Sequence, residues 1–415
     1  MNRPDMHEPP AKDRLPVAAL LALAMTGFVC IMTETLPAGL LPQLGAGLSV
    51  SPSLAGQTVT VYALGSLLAA IPLTLATRTW RRRHVLLLTI AGFLVFNSAT
   101  AWSSSYVLTL AARFLAGASA GLAWSLLAGY ARRMVAAPLQ GRALAVAMVG
   151  TPIALSLGTP LGTWLGILLG WRLSFAAMSL LTLVLIGWVL AKVPDYPGQS
   201  GMQPVPLRSV LTTPGVRPVL VVVVTWMLAH NLLYTYIAPF VAMAGLGQSV
   251  DAVLLVFGVA ALSGIWVTGR IVDRHPRAAV LASLAAFALV SLTFGLAGRS
   301  PAVVYAGVGV WGLTFGGAAT LLQTALADAA GEGADVALSM NVVTWNGAIA
   351  GGGLLGGVLL DHLGAGAFPW AMLVWLTAGF AVAFRAHPYG FPRGHRAAAI
   401  QVPGYPLETA VDVEH

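Results

Sequence analysis

A single carboxyl lies within a hydrophobic span of this chain. Glu34 sits inside LPVAALLALAMTGFVCIMTETLPAGLLP, Leu15 to Pro42, while the other Asp and Glu residues fall in tails, loops or span ends. An ionisable group inside a bilayer costs several kcal/mol unless it is paired, protonated or turned to water. A carboxyl kept at that depth is a candidate proton carrier. Arg113 is its candidate counter-charge. At about 1.5 Å per residue, Glu34 lies about 12 Å from the outer end of its span and Arg113 about 10 Å from the outer end of the fourth. Burial favours the neutral acid and a nearby guanidinium favours the carboxylate, so a change in hydration or solute occupancy switches the proton. The plainer alternatives are a protonated Glu34 bonded to a neighbouring helix, and an Arg113 that bonds backbone carbonyls or snorkels outward. Pro37 removes a backbone donor and crowds the turn around Thr33, so the span is expected to kink beside Glu34.

A second polar group lies in span seven: His230, Asn231, Tyr234 and Tyr236. Residues four apart share a helix face, which puts His230 and Tyr234 together. Such a pair suits a sugar or an amphipathic solute, one group hydrogen-bonding and the other covering a flat apolar surface. Interhelical hydrogen bonding with an interfacial tyrosine belt accounts for the same residues. Gln323, Asn341 and Asn346 are cavity candidates of the same kind.

These groups need a membrane fold to position them. The chain has 415 residues, 58% hydrophobic and 9% charged, where soluble proteins carry roughly 25% charge. Twelve apolar spans are expected, near 15–42, 53–76, 84–103, 106–130, 143–168, 172–192, 218–243, 250–270, 278–298, 301–327, 336–360 and 367–386. The predicted fold is an all-α membrane protein: a tail 1–14, a six-helix bundle 15–192, a linker 193–217, a second bundle 218–386 and a tail 387–415, the last expected to be disordered. With both termini cytoplasmic, all but Arg113, Arg172 and Arg299 of the 22 Lys and Arg fall on the cytoplasmic side, as the positive-inside rule requires. The net charge of +8 is therefore a matter of topology and not of nucleic-acid binding. Cys30, the one cysteine, reads as a small packing residue, and no metal-ligand spacing occurs. The first apolar run is too long for a cleaved signal peptide.

The halves repeat faintly. Leu73, Thr77 and Arg81 align with Gly269, Asp273 and Arg277. Span five carries Gly150, Ala154, Gly158, Gly162, Gly166 and Gly170, four apart, a stripe that lets helices approach closely. Span eleven is also glycine-rich, from Gly347 to Gly357. Parallel six-span repeats place a solute site between the halves near the midplane.

Here the chain resembles the major facilitator superfamily over nearly its whole length. Gly269-x-x-x-Asp273-Arg274-x-x-Arg277 matches the loop signature of the second half. Its first-half copy is degraded, Leu73 and Thr77 standing for Gly and Asp, although Arg81 and Arg82 remain. Arg113-Phe-Leu-Ala-Gly117 matches the fourth-span arginine motif, and Gly158-Thr-Pro160-Leu-Gly162 resembles the fifth-span antiporter motif. Thr33 to Pro42, and Ala229-His230 followed by Tyr234, Tyr236 and Pro239, resemble bacterial sugar-efflux and drug–proton antiporters. The resemblance implies two bundles around a central cavity bordered by spans one and four, with spans five and eleven sliding across the halves. It also implies a cytoplasmic gate at Arg81, Arg82, Gly269, Asp273, Arg274 and Arg277. An Asp273 ion pair would latch that gate reversibly, since exposed pairs contribute only about 0–1 kcal/mol.

The expected function is proton-coupled efflux of a small solute, a sugar or amphipathic drug, by alternating access. The alternatives are a proton-coupled importer of a small metabolite and a non-transporting sensor or scaffold. The protein is expected to be no enzyme: no P-loop, HExxH or GxSxG motif occurs. It is expected to need no cofactor beyond the proton gradient, and to act as a monomer in the inner (plasma) membrane.

Overall fold

The computed structural model describes residues 14–136, 139–198, 207–272 and 274–392. The terminal tails, most of the linker's middle and Asp273 lie outside the described residues, as do Arg393 and Arg396. Twelve helices are long and apolar enough to cross a membrane. In order they are Val17–Gly39, Pro52–Ala76, Arg82–Trp102, Tyr106–Arg133, Arg142–Leu169 and Trp171–Lys192. After the linker come Val216–Thr235, Val250–Ile271, Pro276–Ala297, Pro301–Ala330, Val336–Leu363 and Ala365–Arg385. We call these spans one to twelve. The linker side of the bundle is the linker end, and the other side the distal end.

Spans one and seven are shorter than the sequence predicts, because both break near a proline. Span one ends at Gly39, just past Pro37, and a short helix Leu41–Leu48 follows the break at Leu40. Span seven stops at Thr235 and resumes as Ile237–Ala242, with Pro239 inside the second piece. The break residues have similar backbones, φ −118°, ψ 17° at Leu40 and φ −112°, ψ 32° at Tyr236. Leu40 also stands to Tyr236 in the chain as Arg81 stands to Arg277. The repeat that is faint in side chains is thus plain in the backbone, and it sets His230 opposite Glu34.

Close packing falls where glycine removes a side chain. Spans two and four cross with backbones nearly touching: a Cβ on Gly117 would lie 1.9 Å from the Tyr62 carbonyl, and one on Gly65 2.0 Å from that of Phe114. The span-five stripe faces span one, within its own half. A Cβ on Gly150 would meet the Ala24 carbonyl at 1.8 Å, and Gly158, Gly162 and Gly166 lie against Met32, Leu36 and Leu40. These closest contacts of the stripe lie within the half, whereas the glycines of span eleven pack across the halves, Gly353 and Gly357 against Thr60 and Gln57 of span two. Span five also meets span eight of the other half along much of its length, most closely at a π-helical turn Ala154–Gly158. There Gly258 of span eight lies so close that a Cβ would stand 2.2 Å from the Ser156 Cα. Pro160 has no amide hydrogen to return to the preceding turn, and the widened turn sits directly before it.

At the linker end the first-half loop is clasped by the linker. Arg81 Nε pairs with Asp195 Oδ2 at 2.5 Å, and the Arg83 amide donates to Asp195 Oδ1 at 3.1 Å. The Arg82 amide donates to the Tyr196 carbonyl at 2.9 Å, and Tyr130 Oη to that of Pro194 at 2.7 Å. Thr77, where the family signature has Asp, bonds its own helix at Leu73. Arg81 and Arg82 thus serve a clasp inside the first half. In the second half, buried Arg277 ties span nine to span twelve through the carbonyls of Ala383, Phe384 and Phe391 at 2.8–2.9 Å. Arg274 is exposed, and Gly269 has open space where a side chain would go.

Two outcomes follow from this packing. Gly117→Val forces spans two and four apart and destabilises the first half by about 3 kcal/mol, read as a lower melting temperature in detergent. Gly129→Val, at a position with no neighbour within 4 Å, leaves it nearly unchanged. The Asp195 carboxyl feels burial upward, but hydrogen bonds from Arg81 and Arg83 outweigh it and hold its pKa below 3.8. The clasp therefore contributes fully above that pH and is lost as the pH falls through the depressed value. Asp195→Asn removes it at neutral pH, and tryptic cleavage after Lys192 becomes faster.

Candidate functional site

Glu34 points into the protein from the distal third of span one. Its neighbours Thr33 and Thr35 are buried, while Glu34 keeps part of its surface accessible. Four groups act on it or on each other through space: Arg113 from span four, Tyr62 from span two, Cys30 one turn back, and Tyr234 from span seven. Glu34 thus lies within electrostatic reach of the guanidinium that the sequence assigns to it, without forming a salt bridge to it.

Arg113 is fully buried. Its Nε donates to the Thr58 carbonyl at 3.1 Å, and its guanidinium lies 4.7 Å from the Tyr62 ring and 5.8 Å from that of Phe175. Its two terminal nitrogens, Nη1 and Nη2, have no hydrogen-bond partner. A buried charge without full hydrogen bonding is costly. The arrangement leaves an electrostatic demand that a carboxylate on Glu34 meets and a protonated Glu34 does not. Tyr62 is held beneath the guanidinium by its own hydroxyl, which donates to the Cys30 carbonyl at 2.9 Å. Asn97 of span three donates to Thr33 Oγ1 at 2.9 Å and braces span one just before Glu34.

His230 and Tyr234 share a face, with rings 5.2 Å apart. Their surroundings are aromatic: Phe315 stacks on His230 at 3.5 Å and 4°, with Phe257 and Trp311 alongside. Trp311 Nε1 donates to His230 Nδ1 at 3.1 Å. An indole nitrogen only donates, so Nδ1 carries no proton in this bond and the imidazole is neutral. His230 therefore occupies the place of Glu34 in the other half without its charge.

The remaining polar candidates separate. Asn231 bonds its own helix at Met227 and faces Gly352 of span eleven. Asn346 likewise bonds Val342. Asn341 is buried with Oδ1 unpartnered, and Gln323 is exposed on span ten. Tyr236 belongs to a different structure, a clamp that joins the halves at the distal end. Its hydroxyl donates to the Gly353 carbonyl at 2.8 Å, with that of Ser53 at 3.2 Å, and accepts from Gln57 Nε2 at 3.2 Å. Ser53 Oγ donates to Asp361 Oδ2 at 2.7 Å. Gly353, Gly356 and Gly357 make room for this, since a Cβ on any of them would strike Thr60, Tyr236 or Gln57. Sequence reasoning missed Ser53, Gln57 and Asp361. Their signal was polar residues at the distal ends of spans two and eleven, where loops ordinarily carry them. It also missed Tyr62, Thr35 and Thr159, which look ordinary without the partners that give them a role.

The model of the Major Facilitator Superfamily matches residues 23–353. The purine ribonucleoside efflux pump NepI of Escherichia coli O157:H7 is 30% identical to this chain over 354 residues, 84% of this chain and 88% of that protein. The pump of the same name from Shigella dysenteriae serotype 1 is also 30% identical, over 84% and 89%. Among solved structures, the Escherichia coli xylose transporter XylE, in a partially occluded inward open conformation, superposes with a TM-score of 0.70 at 14% identity. It covers 90% of this chain and 99% of its own. A bacterial homologue of the human lysosomal transporter Spinster, inward-facing and unoccupied, gives 0.63 at 14% identity, over 92% and 97%.

The distal clamp yields a direct test. Tyr236→Phe removes the hydroxyl that three groups share, and loss of about 1 kcal/mol of hydrogen bonding shifts the population toward the distally open form about fivefold. In a Cys30→Ser background, Thr60→Cys, at the buried residue that faces Gly353, reacts faster with a water-soluble maleimide in that variant than in the parent.

Proposed function

The chain belongs to the major facilitator superfamily and is a multi-pass membrane transporter, and from that membership we propose that it exports a small solute in exchange for protons across the inner membrane. The observation that carries this reading is Arg113, fully buried with Nη1 and Nη2 unpartnered, within electrostatic reach of Glu34. In this reading the linker end faces the cytoplasm. Glu34 takes a proton from outside when the distal clamp is open. It releases that proton inward after the clamp closes and hydration reaches the carboxyl, at which point Arg113 stabilises the anion. Each proton moving inward down a membrane potential contributes about 2.3 kcal/mol per 100 mV, enough to drive a modest solute gradient outward.

The solute we infer is nucleoside-like. The relatives at 30% identity are named for efflux of purine ribonucleosides, molecules that join a sugar to a flat heterocycle. The aromatic rings gathered around His230 suit the flat heterocycle of such a molecule.

Flux in proteoliposomes with an imposed pH gradient tests both parts, with labelled inosine, xylose and a lipophilic cation as probes. Inosine moves against its gradient as protons move the other way, and the other two do not. Glu34→Gln lowers gradient-driven inosine flux to the level of empty vesicles while leaving the melting temperature close to that of the parent. Undiminished driven flux in that variant removes Glu34 from the mechanism.

A further inference from the structure

Tyr234 stands where the two halves meet. Its ring belongs to the second half, stacked on His230 and edge-on to Phe257 and Trp311 at 5.5 and 6.1 Å. Its hydroxyl reaches toward the first half, to Thr35 of span one and Thr159 of span five. Those two threonines bond each other at 2.8 Å. One of their two protons makes that bond, so only one of the two carbonyls within reach, that of Ile31 for Thr35 or of Ala154 for Thr159, is used at a time. The tyrosine hydroxyl is left buried with no hydrogen-bond partner. An orphaned hydroxyl in a packed interior is unfavourable. Its setting supplies the candidate acceptor, because Tyr234 lies within electrostatic reach of Glu34. The other titratable groups there are Arg113, Tyr62 and Cys30 around the carboxyl, and neutral His230 behind the ring.

Resting on the proton-carrier reading of Glu34, we propose that Tyr234 is the positioning residue through which the charge state of Glu34 is passed to the second half. When Glu34 has lost its proton, the carboxylate is a strong acceptor, and the Tyr234 hydroxyl donates to it across the interface. That bond draws span seven against span one. When Glu34 is protonated the acceptor weakens, and the halves part more readily at the distal end. The phenol keeps its own proton throughout; only the direction of its O–H changes. The aromatic cluster around His230 makes the link stiff, since a ring packed on three sides moves only with the half that holds it. A single side chain thus lets proton occupancy bias which side of the protein opens, and it does so in the absence of solute.

The test needs no solute. Leu54 and Leu363 are exposed near the distal ends of spans two and eleven. Replaced by cysteine in a Cys30→Ser background and spin-labelled, they report distal opening as a distance distribution. The population with the larger distance is measured from mildly acidic to mildly alkaline pH in reconstituted protein. In the parent it falls as the pH rises, and in Glu34→Gln it does not change. Tyr234→Phe keeps the ring but shrinks the pH-dependent change to less than about a third. Trp311→Phe, which disturbs the same cluster but spares the hydroxyl, retains it. Difluorotyrosine at position 234 nearly keeps the shape, makes the hydroxyl a stronger donor and a stronger acid, and moves the pH profile, which guards against a folding defect in Tyr234→Phe. A parent-like profile in both position-234 variants overturns the proposal, as does a parent with no pH response. A pH response that survives Glu34→Gln instead defeats the proton-carrier reading itself.

Discussion

The structure is organised around a charge that has no complete partner. Arg113 is sealed among Tyr62, Phe175 and the Thr58 carbonyl, and two of its nitrogens bond nothing. Such a group is tolerable only if something nearby supplies negative charge. The chain offers one carboxyl at that depth, on a helix braced by Asn97 and threaded between both halves. The glycines at 65 and 117 belong to the same arrangement. They bring spans two and four close enough for the Tyr62 ring to lie under the guanidinium one turn from Gly117. Small residues in the crossing and the aromatic cushion are two aspects of one requirement, to hold a cation in an apolar bundle.

The repeat explains why only one half carries that requirement. Spans one and seven break at equivalent residues, and spans four and ten occupy equivalent places. In the first half those positions hold a carboxyl and a guanidinium. In the second, the counterpart of Glu34 is the His230 imidazole, bonded to a Trp311 indole that can only donate, while the counterpart of Arg113 at the same offset is Gly309. The second half has kept the geometry and lost the charge. It has become a rigid aromatic block, and the ionisable chemistry of the pair is concentrated on one side of the interface.

Much of this was legible in the residues. Hydropathy and arginine placement gave twelve spans and the linker, because a bilayer tolerates few other arrangements. Glu34 and Arg113 stood out because ionisable groups are rare at membrane depth. Spans one and seven ended early because hydropathy does not register a backbone break; Leu40 and Tyr236 are as acceptable to a bilayer as any helical residue. The glycine stripe of span five announced close packing but not its partner, since a face without side chains fits any neighbour, and here that neighbour is span one. Tyr236 was grouped with His230 by proximity in the chain. The break at that very residue turns it away, toward Ser53 and Gly353. The clamp was invisible for a related reason: Gln57 and Asp361 acquire meaning only when two distant spans converge.

The linker has a consequence of a different kind. Its first stretch is fastened to one bundle through Asp195 and Tyr196, and its short helix Leu207–Thr212 lies against the other, where Val210 meets Gly333. The chain between Gly198 and Leu207, whatever path it takes, spans at most about 30 Å at ~3.3 Å per residue. The number of residues between those two anchors therefore sets an upper limit on how far apart they can stand.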